Sequence, residues 1–338
     1  MILTPAQLES WTFRLLLASG LSETHAARTA EVYRRASARG LGHHDLSALP
    51  QRLGWLAQAE VNPRPRVELT AEGPAFETWD GDEGLGEVLC RHILDRALEK
   101  ARSTGVAYAG VRRSNHFLAA DPYVQMGAEA GFLVVLWSNT DAGMAFPGGT
   151  RKVLGNNPLG WALGSGEGGL SADLCLAETS IGNLNALAAQ GAPVPPHWGR
   201  GPDGRPATTA QELQKGAIEP IGGPKGLALA LLGEVLTGVL TGGPTFDQVL
   251  PPAGLRTHNQ MVLAFDLSYF GGTGMIGDRI TSLRTRARAA GLDRFPGDRS
   301  HAAEDRAQAG GILVPEALVA SLGDWSGRLG VEIPSGSS

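Results

Sequence analysis

Residues 105–138 read GVAYAGVRRSNHFLAADPYVQMGAEAGFLVVLWS, and this stretch decides the fold class. Its first part, residues 106–112, is predicted to form a β-strand, and its last part, residues 132–138, a buried β-strand. The segment between them predicts a short helix over residues 122–131. A helix that joins two strands places the chain in the α/β class.

Helices are predicted on both sides of this strand-rich middle. Near the amino terminus, Thr4, Pro5 and Gln7 have the spacing of an N-cap, a first-turn proline and a capping-box partner. Because the strands do not alternate regularly with long helices, the pattern disfavours a simple doubly wound sheet. Further helices are predicted over residues 83–104, 210–215, 225–240, 279–291 and 302–309, and further strands over residues 153–162, 170–177 and 261–266.

Composition and charge exclude several classes of protein. The 338 residues carry a net charge of -5 and contain no Lys/Arg-rich run, which disfavours nucleic-acid binding. No apolar run reaches about 18 residues, so no membrane-spanning helix is expected. The first residues lack the pattern of a signal peptide, and a cytoplasmic protein is therefore expected. Cys90 and Cys175 have no metal-ligand spacing, so no metal site is expected.

A literal G-x-G-x-x-G occurs at Gly164, Gly166 and Gly169. In a dinucleotide-binding fold this motif must be followed by a helix, whose first turn holds the pyrophosphate. Here the residues that follow, 170–177, are predicted to form a strand. The motif therefore predicts a hairpin turn and not a Rossmann site.

The segment IGGPKG at residues 221–226 is a better candidate for phosphate binding. Gly222 and Gly223 permit a tight turn, and the predicted helix begins near Lys225 with free N–H groups and a positive dipole end. An ordinary glycine turn that leads into a buried helix explains the same residues. On this segment alone both interpretations stay open, and the ordinary turn is favoured.

Among the eight histidines, two places stand out. His43 and His44 are adjacent and follow the predicted end of a helix at Gly40. His116 lies directly after the strand at residues 106–112, and catalytic side chains favour such loops. Histidine is suited to acid–base work near neutral pH. A serine hydrolase is disfavoured because the chain contains no G-x-S-x-G.

Several segments, taken in order, resemble the malate/L-lactate dehydrogenase family of type 2. Each motif is short, but their order and spacing are specific, and the resemblance spans about residues 7–325. The segments are RGLGHHDLSALPQRL (39–53), GVAYAGVRRSNHFLAADPY (105–123), GNNPLGWAL (155–163), the long block at 193–243 that contains IGGPKG, HNQMVLAFDLSYF (258–270) and FPGD (295–298).

The resemblance implies an oxidoreductase that uses NAD or NADP and acts on small 2-oxo acids, 2-hydroxy acids or cyclic imino acids. It also implies a homodimer, a non-Rossmann cofactor-binding fold, and a mixed sheet with helical terminal segments. The expected division of the chain is a helical catalytic and dimerisation domain, residues 1–118 plus 280–338, and a cofactor-binding domain, residues 119–279.

The resemblance also assigns roles. His116 corresponds to a proton acceptor in hydroxy-acid members, and His44 to a proton donor in diketogulonate reductases. Asp173 is expected to accept hydrogen bonds from ribose hydroxyls, and Lys225 to bind phosphate. The residues expected to bind the cofactor are Thr140, Asp173, Leu174, Cys175, Leu176, Pro224, Lys225, Gly226, Pro296, Gly297 and Asp298.

Departures from the family pattern change the expected substrate. The family arginine that pairs with the substrate carboxylate is Ala48 here, which disfavours malate or lactate. Arg52, four residues further on, is a candidate replacement. Asp45 replaces a family glycine beside the two histidines and favours an amine or imine. The expected substrate-binding residues are His43, Asp45, Arg52 and Asn115.

Two alternatives stay open. The lost arginine is compatible with a non-catalytic family member that binds a ligand or partner on the same scaffold. Reduction of a cyclic imine, instead of a carbonyl group, is the second alternative, because an acidic side chain stabilises the protonated nitrogen of an imine.

Overall fold

The computed structural model describes residues 1–164, 168–249 and 258–336. The helices are α1 Pro5–Ala18, α2 Glu23–Ala38, α3 Leu49–Ala57, α4 Gly86–Thr104, α5 Asp121–Glu129, α6 Ile181–Ala189, α7 Ala210–Lys215, α8 Pro224–Glu234, α9 Gly272–Ala289, α10 Asp298–Gly310 and α11 Glu316–Leu329. The strands are β1 Ile2–Leu3, β2 Glu68–Gly73, β3 Phe76–Asp80, β4 Val106–Ser114, β5 Phe132–Ser138, β6 Ala142–Met144, β7 Leu154–Gly155, β8 Leu159–Leu163, β9 Leu170–Leu174, β10 Gly199–Arg200, β11 Ala217–Ile218, β12 His258–Asp266 and β13 Ile312–Leu313.

The largest sheet has seven strands in the order β2-β3-β4-β12-β5-β8-β9. Only β3 and β4 pair in parallel within it, and every other neighbouring pair is antiparallel. The opening stretch supplies β4, α5 and β5, and β12 lies between its two strands. The predicted α/β class with a mixed sheet is confirmed.

A large apolar core lies between this sheet and the amino-terminal helices. It contains Trp11 of α1, Tyr33 of α2 and Ile93 of α4, all fully buried. The chain ends meet at the edge of this core, because β1 pairs antiparallel with β13. The predicted capping box at Thr4 and Gln7 is present at the start of α1. Helices from both terminal regions therefore contribute to this core, with Leu15 and Leu16 of α1 and Leu322 of α11 among its buried side chains.

A second, smaller core contains Met144, Leu154 and Leu213 and lies beside a four-stranded sheet of order β10-β11-β6-β7. Helices α6, α7 and α8 contribute to it. The division of the chain at residue 118 stays a prediction, and α5 and β5 belong to the first core. No helix in the described ranges is long and apolar enough to cross a membrane.

The glycine-rich motif at residues 164–169 joins two antiparallel strands. Leu163 of β8 pairs with Leu170 of β9, and Gly164 has a φ of +72°. Gly166 lies outside the described residues. The predicted hairpin is confirmed by the strands that flank it, because no helix follows the motif.

Three sequence-based predictions were wrong in detail. The strand predicted over residues 153–162 is divided into β7 and β8, because Asn156 to Pro158 leave the sheet. Helix α9 begins at Gly272 and not at residue 279. The helix predicted over residues 225–240 is present, as α8 and a π-helical turn Val235–Val239, but many of its apolar side chains are exposed, so the burial assumed in the ordinary-turn interpretation was wrong.

Candidate active site

A cleft of about 820 Å³ opens where the loops after α2, β4 and β5 meet β9 and the loop before α10. A pocket of about 530 Å³ adjoins it and reaches α3. We call these the main cleft and the side pocket. Both volumes lie within the ~300–1,000 Å³ range of ligand and cofactor sites. The two cavities share His43, His44, His116, Thr140, Asn156, Ser180 and His258.

Four histidines meet at this shared wall although they come from distant segments. The ring centroids of His43 and His44 are 3.9 Å apart, those of His44 and His116 5.4 Å, and those of His116 and His258 6.3 Å. His258 lies next to the end of β4 because it pairs with Ser114 across the sheet. Within the described residues, no three His, Cys, Asp or Glu side chains are arranged to hold a metal ion.

The ring of His116 is held by two hydrogen-bond donors. The backbone N–H of Leu118 donates to Nδ1 over 3.1 Å, and Nη2 of Arg52 lies 2.8 Å from the same nitrogen. Burial, followed by the charge of Arg52, places the pKa of His116 well below its usual range. Because both neighbours of Nδ1 are donors, Nδ1 is the acceptor nitrogen of the His116 ring.

Arg52 lies in the side pocket but is already engaged by the protein. Its Nε donates to Glu87 Oε1 over 3.0 Å, Nη1 to Gln51 Oε1 over 3.0 Å, and Nη2 faces His116. Its side chain is 3% exposed, and that of Glu87 is fully buried. A substrate carboxylate would have to displace one of these partners. The substrate-binding role expected for Arg52 stays a prediction, and its observed contact is with His116.

His43 and His44 occupy the 3₁₀ turn Gly42–His44 after α2. Burial, and then the neighbouring charges of His43 and Arg52, lowers the pKa of His44 to about 3. His43 packs over Gly182, where an added Cβ would lie 2.2 Å from Nε2 of the ring. A side chain at position 182 would therefore push His43 away from the shared wall.

We expect acid to destabilise the fold through His44. Between its ordinary pKa of about 6.5 and its folded value of about 3, the unfolded chain binds a proton that the folded chain rejects. The free energy of unfolding must therefore fall as the pH is lowered through this window. His44→Gln should reduce the slope of the free energy of unfolding against pH, by at most about 1.4 kcal/mol per pH unit. Urea unfolding between pH 4 and pH 7 measures it.

The matched control is His197→Gln, because the side chain of His197 is 68% exposed. This variant should keep the slope of the parent protein. If His44→Gln also keeps that slope, the folded protein binds a proton at His44 as readily as the unfolded chain does.

Two residues expected to bind substrate do not line either cavity. The Asn115 side chain is fully buried and donates to the carbonyl oxygens of Glu83 and Gly84. Asp45 accepts the N–H of Ser47 over 2.8 Å and caps the next 3₁₀ turn. These side chains shape the loops that carry the histidines, and the acidic group in the side pocket is Asp141 instead.

Most residues expected to bind the cofactor lie in the main cleft, namely Thr140, Asp173, Leu174, Cys175, Pro296 and Gly297. Asp173 accepts the N–H of Asp121 at the start of α5, and its side chain is exposed to the main cleft. Gly297 has a φ of +91° and an added Cβ there would lie 2.3 Å from Ser171 Oγ. This glycine permits the 295–297 loop to approach β9 closely.

The remaining expected cofactor residues lie around the cleft and do not line it. Leu176 is buried, and its carbonyl accepts the N–H of Ile221, which places the IGGPKG turn beside the segment after β9. Lys225 is exposed at the start of α8. Asp298 binds Arg284 over 2.6 Å and accepts the N–H of Phe295. Pro224 and Gly226 belong to the first turn of α8.

Sequence reasoning missed several residues that line these cavities, among them His258, Asp141, Arg294 and Arg299. His258 lines both, and its Nε2 lies 3.5 Å from Oδ1 of Asp141 in the side pocket. Arg294 and Arg299 line the main cleft and make no ion pair with described residues. The motifs HNQ and FPGD pointed to both regions, but a motif does not tell which side chains turn toward a cavity.

Comparisons with known proteins find relatives over nearly the whole chain. A family profile described as malate/L-lactate dehydrogenase matches residues 3–323. Malate/(S)-sulfolactate dehydrogenase of Methanothermus fervidus is 28% identical over 98% of this chain and 99% of its own length. Delta(1)-pyrroline-2-carboxylate reductase of Pseudomonas fluorescens is 30% identical over 91% and 94%. The solved structure of sulfolactate dehydrogenase from Methanocaldococcus jannaschii superposes with a TM-score of 0.90, with 27% identity over 98% of each chain.

Proposed function

The chain belongs to the malate/L-lactate dehydrogenase family, and we propose that it transfers hydride between NAD(P) and a small 2-oxo acid, 2-hydroxy acid or cyclic imine. The observation that carries this proposal is the cluster of histidines between a cofactor-sized cleft and a smaller side pocket. When bound, the nicotinamide supplies the hydride, and the protein must handle one proton and orient the substrate.

The main cleft fits a nicotinamide dinucleotide in the chemistry of its lining. Thr140, Ser180 and Asp173 offer groups for the amide and ribose hydroxyls, and Arg294 and Arg299 supply positive charge for phosphates. The close approach of Gly297 to β9 leaves bare backbone in this part of the wall. The first turn of α8, with Lys225, lies nearby and is proposed to contact the pyrophosphate.

The side pocket favours a cyclic imine over malate or lactate. Position 48 lies in its wall as alanine, and the guanidinium of Arg52 is committed to Glu87, Gln51 and His116. The half-exposed carboxylate of Asp141 also lies in this wall and favours a cationic group such as a protonated imine nitrogen. A relative named as a pyrroline-2-carboxylate reductase is consistent with this choice.

Binding of the cofactor is the first test of the function. Calorimetric titration with NADH and with NADPH should give saturable binding of at least one. His25 lies on α2 and lines neither cavity, so His25→Gln should bind like the parent protein. Absence of binding by both cofactors would reject the proposal. Cofactor binding without turnover of any keto acid or imine would favour the non-catalytic alternative.

We expect NADPH to bind more tightly than NADH, because Arg294 and Arg299 face the main cleft without ion-pair partners among the described residues. Cations of this kind hold the 2′-phosphate of NADP. The double variant Arg294→Ser/Arg299→Ser should weaken NADPH about 10- to 100-fold, as expected for ~1.5–3 kcal/mol from charged hydrogen bonds, and NADH much less. Calorimetry of both cofactors measures this ratio.

Arg286→Ser is the control, since Arg286 lies on α9 outside both cavities. An equal loss of NADH and NADPH in the double variant would place the two arginines at the pyrophosphate instead. If the double variant binds both cofactors as tightly as the parent protein, Arg294 and Arg299 do not belong to the cofactor site.

We also propose a homodimer that covers the apolar face of α8 and the turn after it. Leu229, Leu232, Val239 and Leu240 are each 46–60% exposed there. Contiguous exposed apolar side chains of this kind mark interfaces. Light scattering should give twice the chain mass of 35.3 kDa, and Leu232→Glu/Leu240→Glu should give one chain mass. A cytoplasmic location stays a prediction.

The control for the dimer is Leu69→Glu, which places one such charge on the exposed edge strand β2. It should leave the mass unchanged. A parent protein of one chain mass, or a double variant that stays dimeric, would contradict the proposed interface.

A further inference from the structure

The bonding of His116 decides what its imidazole ring is able to do. Both groups at Nδ1, the Leu118 N–H and the Arg52 guanidinium, are donors only. Nδ1 must therefore offer its lone pair to them and carries no proton. The neutral ring then has its single proton on Nε2, and a ring in this state has no lone pair on Nε2 with which to accept another proton.

Arg52 is itself fixed in this orientation. Its Nε is bound to the fully buried Glu87, which also accepts the hydroxyl of Tyr33 over 3.2 Å. The guanidinium stacks on Trp55, with its carbon 4.4 Å from the ring centroid. Arginine does not lose its proton in proteins, so the donor that faces Nδ1 is permanent. The chain from Tyr33 through Glu87 and Arg52 to His116 thus sets the tautomer.

Building on the proposed function, we propose that His116 is a fixed hydrogen-bond donor, that Arg52 is the residue that positions it, and that His258 with Asp141 moves the proton. This differs from the proton-acceptor role that the family resemblance implies for His116. A neutral imidazole that polarises a carbonyl group by donating from Nε2 is chemically sufficient for the first role.

His258 is the histidine of the shared wall that faces a carboxylate. Its Nε2 lies 3.5 Å from Asp141 Oδ1, whose side chain is 49% exposed and therefore open to water. Its Nδ1 is buried with no hydrogen-bond partner in the described ranges, so proton exchange must occur at Nε2. The charged and titratable groups that face His116 are Arg52, His44, His258 and His43.

The proposed step balances as follows in the direction of reduction. A hydride, supplied by the bound nicotinamide, adds to the carbonyl or imine carbon, and the double-bond electrons move to the oxygen or nitrogen. A carbonyl oxygen accepts a hydrogen bond from His116 Nε2, which keeps its proton. For a carbonyl group, the protonated His258 gives up its Nε2 proton to the oxygen and is reprotonated from water beside Asp141. An imine that binds already protonated needs no proton at this step.

Nitrogen-15 NMR of the histidine-labelled protein tests the tautomer without any substrate. Between about pH 5 and pH 8, the range in which free histidine titrates, His116 should stay neutral with its proton on Nε2. The double variant Arg52→Met/Glu87→Gln removes both buried charges together and should give His116 an Nδ1 proton on acidification. The spectrum of His116→Gln lacks the ring signals of His116 and thereby identifies them in the spectrum of the parent protein. A parent His116 protonated on Nδ1 in this range would overturn the proposal.

The proton path is tested with a keto-acid substrate by the pH profile of kcat. His258→Gln should lower kcat at least about 100-fold, within the range of general acid–base catalysis, and remove the pH-dependent limb. His116→Gln should keep that limb, because an amide N–H still donates. If His258→Gln keeps the parent profile, the assignment is wrong. A failure of cofactor binding would reject the oxidoreductase function itself, whereas the NMR result is independent of it.

Discussion

With a 2-oxo acid as substrate, His116→Ala should lower kcat about 100- to 1,000-fold, the usual cost of removing one donor to a developing negative charge. The ring of His116 lines both cavities and lies between His44 and His258. Alanine offers no donor and does not reach the substrate. Steady-state oxidation of NAD(P)H with an accepted 2-oxo acid measures the loss.

His116→Gln is the matched variant, because its amide N–H replaces the Nε2 donor. It should retain at least about tenfold more activity than His116→Ala. His25→Gln should keep the parent kcat, since His25 lies outside both cavities. Parent-like turnover in His116→Ala would move the central role to another residue of the shared wall.

Glu87→Ala should be among the most destabilising single substitutions, at about 3–5 kcal/mol, because it leaves a buried cation without its partner. Glu87 is fully buried and binds Arg52 over 3.0 Å, and the Arg52 side chain is 3% exposed. The Tyr33 hydroxyl also loses its acceptor. Chemical unfolding, followed by tryptophan fluorescence, measures the loss of free energy.

Glu99→Ala provides the comparison on the same helix. Glu99 is 66% exposed and pairs with Arg96, and surface pairs contribute only about 0–1 kcal/mol. A loss below about 1 kcal/mol for Glu87→Ala would mean that Arg52 finds water or another partner, and the fixed orientation of His116 would then lose its support.

Local sequence signals correctly predicted the helices and strands that are determined by residues close together in the sequence. The capping box at Thr4, the helix Ala210–Lys215 and the strands on either side of α5 depend on neighbouring residues. The hairpin at residues 164–169 was predicted because a strand, not a helix, follows the glycines. By contrast, the exposure of α8 was missed, since an apolar helix looks the same whether its partner is its own core or another chain.

The candidate site was only partly predictable because it depends on pairing across the sheet. His44 and His116 were chosen from local motifs and lie together. His258 joins them only because β12 pairs with β4 in the register that sets His258 against Ser114. Asp45 is adjacent to two histidines in the sequence, but its carboxylate caps a 3₁₀ turn by accepting the N–H of Ser47. Asp141, which was not predicted from the sequence, lies in the side pocket near His258.

The central claim is that the histidine wall between the two cavities performs NAD(P)H-dependent reduction. The most direct measurement is oxidation of NADPH and NADH by the purified protein with a panel of 2-oxo acids and cyclic imines. We predict turnover with at least one substrate, cyclic imines before malate- or lactate-related acids, and a loss of 2-oxo acid turnover in His116→Ala. Binding of neither cofactor, or 2-oxo acid turnover that His116→Ala leaves unchanged, would contradict the account.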